Sequence, residues 1–286
     1  MSCPDCFTGS IHLNAEPTGT ILNLYGRQTY VANPPTGTDP KGIVIIIPDA
    51  FGLPFPNNQL LADTYAREGP FKVLLPDFMD STPAPLWMMH TFSNVLATET
   101  IWDWVTKPYH IAWAVYGFLP FVLRHNYNKS MPKVTDYFSQ VRAAEPNLPI
   151  GAAGFCWGGQ HTIYFAHGMR DSKTGKLYAD ACFTAHPSNI KMPGDIENVT
   201  RNLSIAAAGK DKVMTIDQSH QAEAILRELT AKTGVPTEVL YYKDAGHGFA
   251  VRADPSDKQQ DKHMKVCAEQ AVRWFQNRFA EWKPGQ

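Results

Sequence analysis

Two short runs of mixed apolar and polar residues, Ile21–Tyr25 and Gln28–Ala32, flank Gly26 and Arg27. Strand-forming residues around a glycine turn predict an opening hairpin, which Pro34 and Pro35 end. Ile43–Ile47 differs in kind, being wholly apolar and β-branched, the pattern of a strand covered on both faces. Residues Asn57–Glu68 predict a helix with Asn57 or Asn58 as its cap and Gly69 as its stop. Phe71–Leu75 is a second buried strand, closed by Pro76 and Asp77. Further strands are expected at Leu148–Phe155, Ala181–Ala185, Leu203–Ala208 and Glu238–Tyr242, each followed by a turn and mostly by a helical pattern. A last helix runs from about Lys258 to Trp282. This alternation predicts an α/β protein with an open, mostly parallel central sheet and helices on both faces. Ligands of such sheets bind at the carboxyl ends of the strands, so functional residues are expected just after them.

One stretch breaks the rhythm. Between Phe78 and Val134 there is no strand signal, and aromatics are dense: Trp87, Phe92, Trp102, Trp104, Tyr109, Trp113, Tyr116, Phe118 and Phe121. A crossover between parallel strands needs only a dozen or so residues, so this stretch must carry extra helices. Most of these aromatics are expected to face the core. The sharper expectation is a cap over the ligand-binding end, with Trp87 among the residues lining a pocket. With no linker or repeat, the chain reads as a single domain, 1–286, with residues 79–134 as a helical, aromatic-rich, cap-like insertion.

Composition narrows the possible partners. The chain has 286 residues, 44% of them apolar, and a net charge of −1 with its charges scattered. No basic stripe suggests a nucleic-acid or membrane partner; a small molecule is expected, bound by a monomer or homodimer. The opening residues lack a basic region and an apolar run, so no secretory signal is read there. The longest apolar stretch, roughly Tyr109 to Leu123, is broken by Pro120 and falls short of the ~20 residues that span a bilayer. A cytoplasmic location is expected. The five cysteines, at 3, 6, 156, 182 and 267, are odd in number and too sparse for a disulfide framework. Cys3 and Cys6 form a C-x-x-C, but no second pair exists and His12 is only a third zinc candidate. No metal and no cofactor are expected.

The chemistry concentrates in one motif. Gly154-Phe155-Cys156-Trp157-Gly158-Gly159 follows a buried strand and opens a helix. It has the form of the nucleophile elbow of α/β-hydrolases with cysteine in place of serine. A nucleophile on so sharp a turn needs small neighbours two positions away, and the helix dipole favours a thiolate. In this arrangement an acid and a histidine follow along the chain. His247, between Gly246 and Gly248 and after a late strand, is the favoured base; His161, His167, His220 and His263 sit in helical stretches. Asp211, leaving the preceding strand, is the favoured acid that orients it. Asp244 is the competitor expected to face solvent, and Asp217 the one expected to cap the next helix. Backbone N–H groups of Trp157 and Ala50 are the candidate oxyanion donors.

Taken together, the loop P-D-A-F-G, the elbow G-F-C-W-G-G, the G-K-D and the A-G-H-G-F-A resemble the dienelactone hydrolase family over nearly the whole chain. The N-terminal S-C-P-D-C-F-x-G is similar to its fungal branch. The resemblance implies a carboxylate in the early loop that assists the nucleophile's thiol. Asp49 holds that position, where bacterial members carry glutamate, and the alternative is that it only supports the loop. Those members often have serine after the histidine, where this chain has Gly248. Their arginines that hold a substrate carboxylate have no clear match: Arg252 falls one place beyond the expected position, and the insertion offers only Arg124. A bulkier, more apolar ester, lactone or thioester is therefore expected. Phe51, His186 and Phe249 join Trp87 as candidate pocket residues, and His186-Pro187-Ser188 resembles a family feature near the pocket with a structural role equally in view.

The expected activity is cleavage of a lactone or small ester through an acyl-cysteine intermediate. The alternatives are a thioesterase or lactone-forming enzyme of a polyketide-type pathway, a ligand-binding homologue without turnover, and a thiol-reactive sensor.

Overall fold

A computed structural model describes residues 9–12, 15–89, 91 and 101–284. The hairpin forms as β1 (Thr20–Leu24) and β2 (Arg27–Ala32). The remaining strands are β3 (Ile43–Ile47), β4 (Lys72–Pro76), β5 (Ile150–Phe155), β6 (Ala181–Ala185), β7 (Leu203–Ala208) and β8 (Thr237–Tyr242). They make one eight-stranded sheet in the order β1-β2-β4-β3-β5-β6-β7-β8. The β1–β2 and β2–β4 pairs are antiparallel and the rest are parallel. Every residue of β3, β5, β6 and β7 is buried, the outcome their unbroken apolar runs predict. The pairings Ile47 with Gly154, Phe155 with Ala185, and Ala208 with Tyr242 bring the strand exits to one edge of the sheet. Asp49, Cys156, His186, Asp211 and His247 all follow those exits.

The helices are α1 (Pro56–Glu68), α2 (Ile101–Arg124), α3 (Tyr127–Ala144), α4 (Trp157–Ala166), α5 (Gly194–Glu197), α6 (Ile216–Thr233), α7 (Phe249–Arg252) and α8 (Lys258–Glu281). Two expected caps are corrected. Helix α1 is capped at Phe55, with Pro56 in its first turn, where proline's fixed φ suits entry and its missing N–H costs nothing. Asn57 and Asn58 lie inside the helix, buried, the amide of Asn57 donating to Ser10 O and to Val251 O in α7 and that of Asn58 to Gly52 O. Helix α6 begins at Thr215, whose hydroxyl accepts from Gln218 N–H in a capping box, and Asp217 is exposed beyond it. Helix α8 presses Phe275 and Phe279 onto the sheet. Gly42 and Gly151 leave room for them, since a Cβ there would lie 2.4 and 2.5 Å from the rings. Burial of each ring stabilises the fold by roughly 1.5–3 kcal/mol.

Among the described residues no strand lies between 79 and 134, but α3 runs through position 134 to Ala144, so the insertion has no break there. The expectation that most insertion aromatics face the core does not hold. Phe121 is buried and Phe118 half-buried, whereas Trp87, Trp102, Trp104, Tyr109, Trp113 and Tyr116 are exposed; Phe92 lies outside the described residues. Among the described residues, α2 meets the body through Ala114, Gly117, Phe118 and Phe121. At Gly117 the approach is so close that a Cβ would sit 2.6 Å from the Trp87 ring. The outer rings stack edge-on against one another instead, Trp87 on Trp113 and Trp113 on Tyr116, each at 5.6 Å. No described helix is long and apolar enough to cross a membrane.

Candidate active site

Cys156 is the hinge between β5 and α4, with φ 50° and ψ −107°, a backbone conformation that strains any residue with a Cβ. The surrounding glycines are a steric requirement of that turn. A Cβ on Gly154 would lie 2.2 Å from Thr162 Oγ1, one on Gly158 1.9 Å from the Ile47 carbonyl oxygen, and one on Gly159 2.5 Å from Pro187. Neighbouring loops hold the turn in place: Gly158 N–H donates to Pro48 O at 3.2 Å and Ser188 N–H to Cys156 O at 2.9 Å. Cys182 and Cys267 are buried too, and burial pushes both thiols far up, which leaves them inert. Cys3 and Cys6 lie outside the described residues.

The β7 and β8 exits are laced together. Gly209 N–H donates to Tyr242 O and Lys210 N–H to Ala245 O, each at 2.9 Å, and a Cβ on Gly209 would strike Lys243 O at 2.2 Å. The lacing sets Asp211 beneath His247, whose Nδ1 lies 3.1 and 2.9 Å from the two carboxylate oxygens. Asp211 is itself oriented by Val213 N–H at 2.7 Å. On the other side of the ring, Nε2 lies 3.5 Å from Ser188 Oγ, and that hydroxyl is 3.3 Å from Cys156 Sγ. Burial opposes charge on His247. The negative charge on Cys156, the bond to Asp211, the bond to Cys156 and the Asp211 charge outweigh it and push the imidazole up to about 9. Of the rival acids, Asp244 is exposed and pairs with Lys210 at 3.1 Å.

The loop after β3 carries the other expected residues. Asp49 is fully buried; its Oδ1 accepts from Phe51 N–H at 3.2 Å and Asn58 Nδ2 at 3.0 Å, and its Oδ2 pairs with Arg252 Nη1. Burial raises the Asp49 carboxyl, Arg252 draws it down, and negative charge on Cys156 raises it again. Asp49 thus braces the loop against α7. Ala50 and Trp157 are buried, and neither backbone N–H donates to a backbone acceptor among the described residues. Trp157 also ties the insertion to the elbow, its Nε1 donating to His125 O at 2.7 Å.

Of the expected pocket residues, three gather here. Phe51 lies beneath the Arg252 guanidinium at 5.5 Å, and His186 stands edge-on to His247 at 5.0 Å and to Phe249 at 5.7 Å. Trp87 is the exception, since its described partners are Trp113 and Gly117 on α2. A cavity of about 490 Å³ opens beside His247, lined by Gly248, Phe249, Lys210 and His263 among others, with Cys156 outside its lining. Sequence reasoning named two further residues without assigning either of them the contacts it makes here. Arg252 stands in the apolar run Phe249-Ala250-Val251, where a charge demands a buried partner. Ser188 follows the strand exit at His186, two positions along the same turn. Among the described residues no cluster of three or more His, Cys, Asp or Glu side chains could hold a metal ion.

A mostly parallel sheet with a strained turn at Cys156 after a central strand, and with Asp211 and His247 after later ones, is the arrangement of the α/β-hydrolase fold. Solved structures agree on the fold: a putative dienelactone hydrolase from Klebsiella pneumoniae (TM-score 0.59, 16% identity, 93% of this chain and 98% of that one) and an esterase from Thermogutta terrifontis phosphorylated by paraoxon (TM-score 0.59, 13% identity, 92% and 97%). The dienelactone hydrolase family model matches residues 120–279. Hydrolase tropI of Talaromyces stipitatus is 30% identical over 98% of this chain and 97% of its own length. Hydrolase pyvD of Aspergillus violaceofuscus is 28% identical over 94% of each. The chain belongs to the dienelactone hydrolase family and is a hydrolase acting on ester bonds.

Proposed function

We propose that this hydrolase uses Cys156 as its nucleophile, His247 as general base and Asp211 as the group that orients the imidazole, opening an apolar lactone or ester. The observation that carries the reading is the unbroken chain of contacts from the Asp211 carboxylate through His247 to the Cys156 sulfur, with Ser188 at the junction. The thiolate attacks the carbonyl carbon, and the oxyanion is held by the N–H groups of Ala50 and Trp157. His247 then protonates the departing alkoxide and afterwards takes a proton from water, which cleaves the thioester and frees the acid. Asp49, braced by Arg252, is assigned to holding the Ala50 loop in place. A role in setting the thiol's ionisation is supported only through its charge. Because Arg252 is engaged with Asp49, a substrate carboxylate is not called for, which favours an uncharged substrate. Residues 79–134 serve as a cap, a reading supported by the Trp157–His125 bond.

The test is hydrolysis by wild type and Cys156→Ala across aryl esters, unsaturated lactones and acyl thioesters. A folded Cys156→Ala enzyme should lose at least 10³-fold in kcat/KM, in keeping with loss of a triad nucleophile. Full activity in that variant would remove Cys156 from the mechanism. The preferred substrate class in the wild type separates a lactonase or esterase from a thioesterase.

A further inference from the structure

We infer that the Ser188 hydroxyl is a further catalytic group, a donor to the Cys156 thiolate that also receives the His247 Nε2–H, so that it holds the two in register. The inference rests on Cys156 being the nucleophile. Its first support is geometric: Oγ lies 3.3 Å from Sγ and 3.5 Å from Nε2, and the side chain is buried.

The second support is the polarity of the contacts. An imidazolium can only donate and a thiolate can only accept, so a hydroxyl that touches both, beside their own direct bond, must accept from the first and donate to the second. A hydroxyl fits in one direction alone, Nε2–H to Oγ and O–H to S⁻. When the sulfur is acylated and its charge is gone, the hydroxyl has no anion to donate to, and the neutral Nε2 is left open to accept the proton of the attacking water. No bond to Ser188 forms or breaks in either state.

The third support is the backbone. His186 and Asn189, on either side of the Pro187-Ser188 pair, both have positive φ, 39° and 61°. Backbone of that kind persists where the surroundings enforce it. Here they do: Ser188 N–H is fastened to Cys156 O, and Pro187 fills the space that Gly159 leaves empty. The turn is pressed onto the elbow, and the side chain it offers to Cys156 and His247 is that of Ser188. Among the described residues neither ring nitrogen of His186 has a hydrogen-bond partner. Burial, then the charges of His247 and Arg252, hold that ring neutral. The charged and titratable groups around the pair are Asp49 and Arg252 from the early loop and α7, His186 from the β6 exit, and Asp211 from the β7 exit.

The test is the pH dependence of Cys156 alkylation by iodoacetamide in the intact protein, read at the Cys156 peptide by mass spectrometry for wild type, Ser188→Ala, Ser188→Cys and Ser188→Thr. Loss of a hydrogen bond to a charged group should raise the alkylation midpoint in Ser188→Ala by about one pH unit, so labelling near neutrality slows about tenfold. Ser188→Cys, a weaker donor of nearly the same shape, should shift in the same direction, and Ser188→Thr, which keeps the hydroxyl, should return toward wild type. Superimposed profiles for wild type and Ser188→Ala would overturn the inference, as would a Thr variant displaced as far as Ala. Should Ser188→Ala fail to fold, the Cys and Thr pair decides alone. Failure of the underlying reading looks different: wild type itself would keep full activity after Cys156 is labelled.

Discussion

The loops at the carboxyl edge of the sheet and the insertion that follows β4 solve opposite packing problems. Around Cys156 almost every position is dictated. Gly154, Gly158 and Gly159 have no room for a Cβ, and Gly209 lets two loops touch. Asp49, Asp211 and His247 are buried with partners for their charge. Helix α2 is apolar nearly all round, yet Trp102 is 71% and Tyr116 70% exposed. In the first region, chemistry is held by steric exclusion and by paired charges in a dry environment. In the second, apolar residues stand at the surface. Contiguous apolar surface of that kind marks a place where something else is met, and for a hydrolase acting on ester bonds the substrate is one candidate.

If that division is right, the largest effects come from the dictated region. Asp211→Asn should leave the fold intact and lower kcat by about 10³–10⁴, because the amide favours the wrong imidazole tautomer. Steady-state kinetics with circular dichroism as a control check it. A loss under tenfold would mean that the lacing of the β7 and β8 exits orients His247 without its carboxylate.

The next effect is one of pH. A histidine lifted to about 9 in the folded state binds its proton more tightly than in the unfolded chain, where the ordinary value is about 6.5. Its contribution to stability is therefore fully present below about 6.5 and is lost as pH rises through about 9. Unfolding of wild type and His247→Ala by urea, followed from pH 6 to 10, should show the gap between them narrow over that window. A gap that widens with pH would reverse the assignment of charge to the Cys156–His247 pair.

These two regions also differ in how well they can be read from residues alone. The buried strands announce themselves because a strand covered on both faces must be apolar throughout, as Ile43–Ile47 is. The elbow is legible because its strained turn admits only small neighbours at fixed offsets, and the order of Asp211 and His247 follows from where parallel strands exit. Ser188 and Arg252 are harder. Their partners lie far off in the chain, Arg252 on Asp49 across 203 positions, and nothing local signals such a pairing. The insertion misleads for another reason. Aromatic density says that surface must be covered, but not whether protein or something else covers it, so the expectation of core packing failed at Trp102, Trp104 and Tyr109. The caps at Asn57 or Asn58 and at Asp217 failed because Pro56 and the Thr215–Gln218 pair are the better starts.

A smaller effect is expected at the joint between the regions. Trp157→Phe keeps the ring but removes the bond to His125 O, which should cost about 1 kcal/mol of stability. If this bond seats the insertion over the elbow, KM for apolar esters should rise several-fold while kcat falls less. An unchanged KM would detach the insertion from substrate binding.

The smallest effect on the fold belongs to the outer face of α2. Trp102→Ser with Tyr116→Ser removes two large rings that rest mostly in solvent, so their loss should change stability by no more than about 0.5 kcal/mol. The same substitutions should matter to turnover only if these rings meet the substrate, and then chiefly for its longer apolar portion. A series of aryl esters of increasing acyl length separates the cases. A drop in kcat/KM that grows with chain length would make α2 part of the specificity apparatus. A uniform profile with unchanged stability would show that the site at the sheet edge works without it, and would leave the exposed rings to a surface other than the substrate.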